Sequence, residues 1–193
     1  DEFYPICSTD HQSRNYRIHE QFLKHVDILP ENVHIPDGSV SEQEVSEYCA
    51  AYDKSVRKID LMIIGFGEQG QVGFNEQGSY AKSPTRLVEL SHNSRKTQSN
   101  LFFGLENTPK MAITMGLGTI MRADKIVLMA WGEDKAEVIH KVVEGEPSRL
   151  IPASLLQNHA AIEAVVDAPA AEMLTVKKAP WLVGPCDWTP RMV

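Results

Sequence analysis

The apolar run Leu61-Met62-Ile63-Ile64 passes directly into Gly65-Phe66-Gly67-Glu68-Gln69-Gly70-Gln71-Val72-Gly73-Phe74-Asn75-Glu76. A short continuous apolar stretch bounded by turn residues reads as a buried strand. The glycines that follow let the backbone turn tightly and approach a ligand. In α/β proteins, ligands sit in such loops, beyond the carboxyl ends of the strands. The order is not G-x-G-x-x-G opening a long helix with an acidic residue ~20 positions on, so the loop does not read as a dinucleotide site.

Around this strand the chain alternates strand and helix signals. Lys110–Thr114, Lys125–Ala130 and Ile162–Val166 are further apolar strands, Thr85–Leu90 is extended, and Val33–Ile35 is a short strand candidate. Ser41 to Val56 is the strongest helix: Ser41-Glu42-Gln43-Glu44 has the form of a capping box, and Val45, Cys49, Tyr52 and Val56 share one stripe. A looser helical pattern runs from Ser13 to Val26. Another helix is expected from about Glu133 to Val143, with Ala136, Ile139 and Val143 on one side. Pro152–Gln157 reads as a short helix, and Pro169 opens one running to about Leu174. The polar stretch from Ser91 to Asn100 is expected at the surface. This order implies an α/β fold, a three-layer, Rossmann-like, mostly parallel sheet with helices on both faces. Residues 1–176 form one domain, and 177–193 read as an irregular tail that fits a link to a further domain. Three loops should converge at the strand ends: Gly65–Glu76, Gly116–Thr119 and Trp131–Lys135.

Composition narrows the classes of function. A net charge of −7 gives no electrostatic basis for nucleic-acid binding. Cys7, Cys49 and Cys186 are widely spaced and form no CxxC pair, so neither a disulfide framework nor a metal site is expected, and reduced thiols fit a cytoplasmic protein. No apolar run reaches the ~20 residues needed to cross a bilayer, and no signal peptide is recognisable. The opening Asp1-Glu2-Phe3 without a methionine fits a fragment, a processed product or an excised domain.

Two residues stand out chemically on local grounds. Glu76, beside apolar Phe74 in a glycine-bearing segment, could act as an acid or base if partly buried, or be an ordinary loop carboxylate. Lys135, near the start of a helix, could hold an anion jointly with the helix amides, or pair with Glu133 and Asp134 at the surface. Nothing local assigns a role to Asp1.

Several blocks, taken in order, resemble the glucosamine-6-phosphate deaminases (isomerases), a family related to the 6-phosphogluconolactonases. The blocks are Asp1-Glu2-Phe3-Tyr4, Phe22–Ile28, Gly73-Phe74-Asn75-Glu76-Gln77-Gly78-Ser79, Thr85-Arg86, Thr114–Thr119, Val143-Glu144-Gly145 and Val165-Val166-Asp167. They correspond to the C-terminal two-thirds of a family member, so N-terminal strand(s) are expected to be missing from the sheet. The resemblance implies conversion of glucosamine 6-phosphate and water to fructose 6-phosphate and ammonia, with no cofactor. It implies Asp1 as the proton shuttle, Glu76 as the partner of a ring-opening histidine and Lys135 as a phosphate ligand. Gly67, Gln69 and Gln71 would line the substrate loop, and Arg86 matches an allosteric phosphate site of some members. Assembly as a homo-oligomer is left open. The loop departs from the family at two points: Gln69 stands at an aspartate position and Gln71 at the histidine position. Asn100 and Pro84 likewise replace family arginines. Glutamine cannot exchange a proton near neutral pH, so a non-catalytic sugar-phosphate-binding or regulatory module is the alternative reading. A related isomerase or lactonase activity on another sugar phosphate is a third.

Overall fold

The apolar runs become strands, but they sort into two sheets. The computed structural model, which describes residues 1–56 and 58–183, contains β1 (Glu2–Tyr4), β2 (Leu61–Gly65), β3 (Arg86–Glu89), β4 (Met111–Thr114), β5 (Lys125–Ala130) and β6 (Ile162–Val166). Strands β2, β5 and β6 form a parallel sheet in the order β2-β5-β6, with Ile64 opposite Leu128 and Leu128 opposite Ala164. Strands β1, β4 and β3 form an antiparallel sheet in the order β1-β4-β3, with Phe3 and Val88 both opposite Ala112. The α/β class and the parallel sheet match the sequence reading. The antiparallel sheet is added by the tertiary structure, because strands of three or four residues carry no signal for the direction of their neighbours.

Among the described residues, the helices around the sheets are α1 (Arg14–Gln21), α2 (Val45–Ser55), α3 (His92–Gln98), α4 (Leu117–Ile120), α5 (Ala136–Val143) and α6 (Thr175–Lys178). On one face of the parallel sheet, Ile64, Ile126, Leu128 and Ala130 pack against Ile120 of α4 and Val138, Ile139 and Val142 of α5. The opposite face presents Leu61 and Ile63, which are 51% and 62% exposed, together with exposed Val165. The antiparallel sheet is covered on both sides. Tyr4 and Ile113 meet Val45 and Cys49 of α2, so Cys49 is core filler. Phe3 and Ala112 meet Phe74, Leu90 and Phe102, with the Phe3 and Phe102 rings edge to face at 4.9 Å. No helix among the described residues is long and apolar enough to cross a membrane.

Several boundaries differ from the sequence reading, each for a local reason. The Ser41 hydroxyl donates to Glu44 Oε2 at 2.5 Å rather than capping a backbone amide, and α2 begins at Val45. Val33–Ile35 is not a strand; it follows a 3-10 turn at Pro30–Asn32, and the His34 carbonyl accepts from the Tyr52 hydroxyl instead of from a neighbouring strand. The Ser13–Val26 pattern yields a shorter α1 and a separate turn, leaving Phe22 and Val26 exposed. On α5 it is Val142, not Val143, that is buried. Gly116–Thr119 is not a loop but the start of α4, and Ser91–Asn100 contains α3, capped by the Ser91 hydroxyl on Ser94 N–H. Residues 169–174 form turns, because the Asp167 carboxylate and carbonyl capture the amides of Ala170 and Ala171. The first residues of the expected irregular tail belong to α6 and a 3-10 turn at Pro180–Leu182, and Cys186 and the rest of the tail lie outside the described residues.

A buried carboxylate joins α1 to the antiparallel sheet. Glu2, only 1% exposed, accepts four hydrogen bonds at 2.6–2.9 Å, from Phe3 N–H, the Ser13 hydroxyl, Arg14 N–H and Asn15 N–H. The last two are helix-start amides that would otherwise lack partners. Glu2→Ala should lower stability by about 3 kcal/mol in urea-induced unfolding, since hydrogen bonds to a charged group contribute about 1.5–3 kcal/mol and the donors left behind are shielded from water. Glu2→Gln should fall between this variant and the parent.

Candidate functional site

A cleft of about 1100 Å³ opens where the carboxyl ends of β2 and β4 meet. The glycine loop from Gly65 to Phe74 forms its centre, Asp1 and Arg14 one wall, α3 and Asn100 another, and Lys135 a further corner. Five of the seven residues singled out from the sequence are here together: Asp1, Gly67, Gln69, Gln71 and Lys135.

Asp1 reaches the cleft because β1 runs antiparallel to β4, which places its start beside the end of β4. Its Oδ1 accepts from the Thr114 hydroxyl at 2.7 Å and from Met115 N–H at 2.9 Å. The Thr114 oxygen in turn accepts from Phe74 N–H at 3.1 Å, so one buried hydroxyl ties the loop and Asp1 to the same strand end. Gly73 completes this contact. It has φ +58°, and a Cβ there would stand 2.2 Å from Asp1 Oδ2, so a side chain is excluded by backbone conformation and by space.

The loop folds on itself. Gly67 N–H donates to the Gln71 carbonyl, and Gln69 N–H donates to Gln71 Oε1, both at 3.0 Å. The Gln71 side chain lies across Gly67, where a Cβ would be 2.2 Å from Nε2. Gln71 thus contributes to the loop's structure, its side-chain amide holding the tip with a neutral hydrogen bond. Fully buried Asn75 anchors the far end of the loop, its Nδ2 donating to the carbonyls of Val72 and Met115 at 2.9 and 2.7 Å.

Lys135 sits in the 3-10 turn Glu133–Lys135 that precedes α5. The turn is set by Asp167, whose carboxylate accepts from Gly132 N–H at 3.0 Å. The ammonium-bearing side chain is 19% exposed and pairs with Asp134 at 2.6 Å and, more distantly, with Glu68 at 3.9 Å. The bond from Lys135 holds the Asp134 carboxyl below its ordinary range. Of the two expected carboxylate partners the side chain meets Asp134, with Glu68 in the place of Glu133, and it also lines the cleft.

The other two residues are placed elsewhere. Glu76 accepts from Ser91 N–H at 3.1–3.2 Å, at the start of α3, and does not line the cleft. Arg86 lies behind the loop, donating to Asn75 Oδ1 at 2.9 Å and to the Ser79 hydroxyl at 3.2 Å; burial lowers its pKa. In this arrangement Arg86 supports the loop. Conversely, the cleft includes residues that the sequence reading passed over. Asn93, Ser94, Thr97 and Gln98 on α3 face it, as does Arg14. A signal for α3 was present in Ser91 as an N-cap before a run free of Gly and Pro. None existed for Arg14, which reaches Phe74 only through the fold.

Known proteins share both the sequence pattern and the fold. A family model described as glucosamine-6-phosphate isomerases/6-phosphogluconolactonase matches residues 5–166. A putative glucosamine-6-phosphate deaminase-like protein of Bacteroides thetaiotaomicron is 40% identical over the whole chain, which spans 29% of that protein's length. The glucosamine-6-phosphate deaminase of Halothermothrix orenii is 38% identical over 90% of the chain and 73% of its own length. Among solved structures, a monomeric glucosamine-6-phosphate deaminase superposes with a TM-score of 0.84 at 32% identity, covering 89% of this chain and 72% of that one. A 6-phosphogluconolactonase from Trypanosoma cruzi shares the fold at a TM-score of 0.68 and 19% identity, over 90% of this chain and 70% of that one.

The Thr114 hydroxyl is the testable joint of the site. Thr114→Val keeps the shape but leaves Phe74 N–H without its acceptor and removes one of two donors to Asp1. Unfolding free energy in urea should fall by about 1–3 kcal/mol. Gly73→Ala should cost at least as much, because strained backbone is added to the steric overlap with Asp1.

Proposed function

Because the chain belongs to the glucosamine-6-phosphate isomerase/6-phosphogluconolactonase family, we propose that its cleft binds a hexose 6-phosphate and serves the conversion of glucosamine 6-phosphate to fructose 6-phosphate and ammonia. The observation that carries the reading is the gathering of Asp1, the glycine loop and Lys135 around one cleft. In this reading Lys135 exchanges its carboxylate partners for the phosphate. Asp1 Oδ2 handles the proton moved between C2 and C1, while Oδ1 stays fixed by Thr114 and Met115. Gln69 and Gln71 shape the loop against the sugar.

Proton transfer for ring opening is the weak step. Gln71 supplies no exchangeable proton, and Glu76, with no histidine to orient, is engaged at the start of α3. The chemistry therefore relies on sugar that has already opened, and turnover is slow. Residues 1–176 act as the sugar-phosphate unit. The free thiols Cys7 and Cys49 suit the cytoplasm.

Calorimetry with fructose 6-phosphate and an ammonia-release assay on glucosamine 6-phosphate test this reading. Saturable binding should weaken about ten- to a hundredfold in Lys135→Ala, the equivalent of one charge-assisted hydrogen bond. Gln69→Asp with Gln71→His should raise ammonia release by about 10²-fold or more, the usual worth of a general acid–base group. Asp1→Asn should abolish it. Absence of saturable binding of either sugar phosphate would sink the proposal.

A further inference from the structure

The cleft contains a cation whose hydrogen-bonding capacity the fold does not use. Arg14 is the first residue of α1 and lines the cleft beside Asp1. Its guanidinium carbon lies 4.6 Å from the centre of the Phe74 ring and 5.3 Å from that of Phe3. Among the described residues its side chain makes no hydrogen bond and no ion pair within 4 Å, and its Nε is buried without a partner. A guanidinium carries five N–H donors in a rigid fork suited to carboxylate or phosphate oxygens.

Three features argue against a purely structural role. The charge of Glu2 acts on Arg14, but its two oxygens already accept from Phe3, Ser13, Arg14 and Asn15 through a hydroxyl and three backbone amides, and none of these bonds comes from the guanidinium. The first turn of a helix is also a poor place for a cation, because the backbone dipole is positive there. Finally, Arg14 is half-buried, a shielded N–H without a partner such as its Nε is costly, and burial is the largest influence lowering the pKa of Arg14. What the surroundings do provide is orientation: two aromatic faces hold the guanidinium in place.

We propose that Arg14 is an oxyanion-holding residue of the cleft, receiving an anionic oxygen of the bound ligand beside Asp1. This inference deepens the sugar-phosphate reading and rests on it for the identity of the ligand. The oxygen belongs either to the phosphate or to the sugar end where negative charge develops as Asp1 takes a proton; the chemistry recognised is the same.

The experiment titrates the full 193-residue chain with fructose 6-phosphate and, separately, with inorganic phosphate. Calorimetry is paired with nitrogen-15 NMR of arginine Nε–H signals, that of Arg14 being assigned by its loss in Arg14→Lys. Fructose 6-phosphate should shift the Arg14 Nε–H signal. Its Kd should rise at least tenfold in Arg14→Gln and less in Arg14→Lys, while Lys141→Gln, altered on α5 away from the cleft, should bind as the parent does. An Arg14-dependent affinity for inorganic phosphate as well assigns the oxygen to the phosphate, and dependence with the sugar phosphate alone assigns it to the sugar end. Unchanged fructose 6-phosphate affinity in Arg14→Gln, or an unmoved Arg14 signal on saturation, overturns the inference and leaves the sugar-phosphate reading standing. Binding of inorganic phosphate through Arg14 without any binding of fructose 6-phosphate keeps the inference and removes that reading. No binding of either probe overturns both. Should Arg14→Gln fail to fold, the NMR shift in the parent and the Kd of Arg14→Lys decide the matter.

Discussion

The structure turns on a buried polar junction between its two sheets. Asn75 and Thr114, neither with measurable exposure, join the loop that leaves the parallel sheet to the end of the central antiparallel strand. Asn75 binds the carbonyls of Val72 and Met115, and Thr114 binds Phe74 N–H and the Asp1 carboxylate. Buried polar groups are costly unless paired, so these bonds leave the loop one position. Arg86 reinforces it from behind through Asn75 Oδ1. The candidate site follows from this junction: Asp1 and the glycine loop belong to different sheets and meet because both are bound to the same strand end.

The two sheets contribute differently. The antiparallel sheet is packed on both faces, by the Phe3–Phe74–Phe102 cluster and by α2, and supplies a rigid support for Asp1. The parallel sheet is packed on one face, while Leu61 and Ile63 of its edge strand β2 face outward. Parallel sheets are usually buried on both sides, and the cleft runs along β2 past Met62 and Ile63 into the glycine loop. The site is thus polar at the loop and apolar along the strand.

Two cations of the cleft, Lys135 and Arg14, are held in unlike ways. Lys135 stands at the rim with carboxylate partners that an incoming anion can displace. Arg14 lies against two adjoining rings, its Nε buried and its side chain without a hydrogen bond among the described residues. Glu76 and Arg86 lie outside the cleft and are bonded elsewhere, one to the start of α3 and the other to the back of the loop. Their motif positions were legible, but the directions of their side chains were not, because those depend on Ser91, Ser79 and Asn75 being brought beside them.

The apolar strands, the α/β class, the glycine loop and the family are legible in the chain alone, since these rest on local periodicity, turn chemistry and ordered motif blocks. Strands β5 and β6 have the limits that their apolar runs predict, and Cys49 is buried where its helical stripe puts it. The packed fold, by contrast, is what divides short strands of similar composition into a parallel and an antiparallel sheet, turns helix α3 of a polar surface stretch toward the cleft and stacks Arg14 on Phe74. Each of these depends on contacts between residues far apart in the chain, and such contacts leave no period or spacing to read.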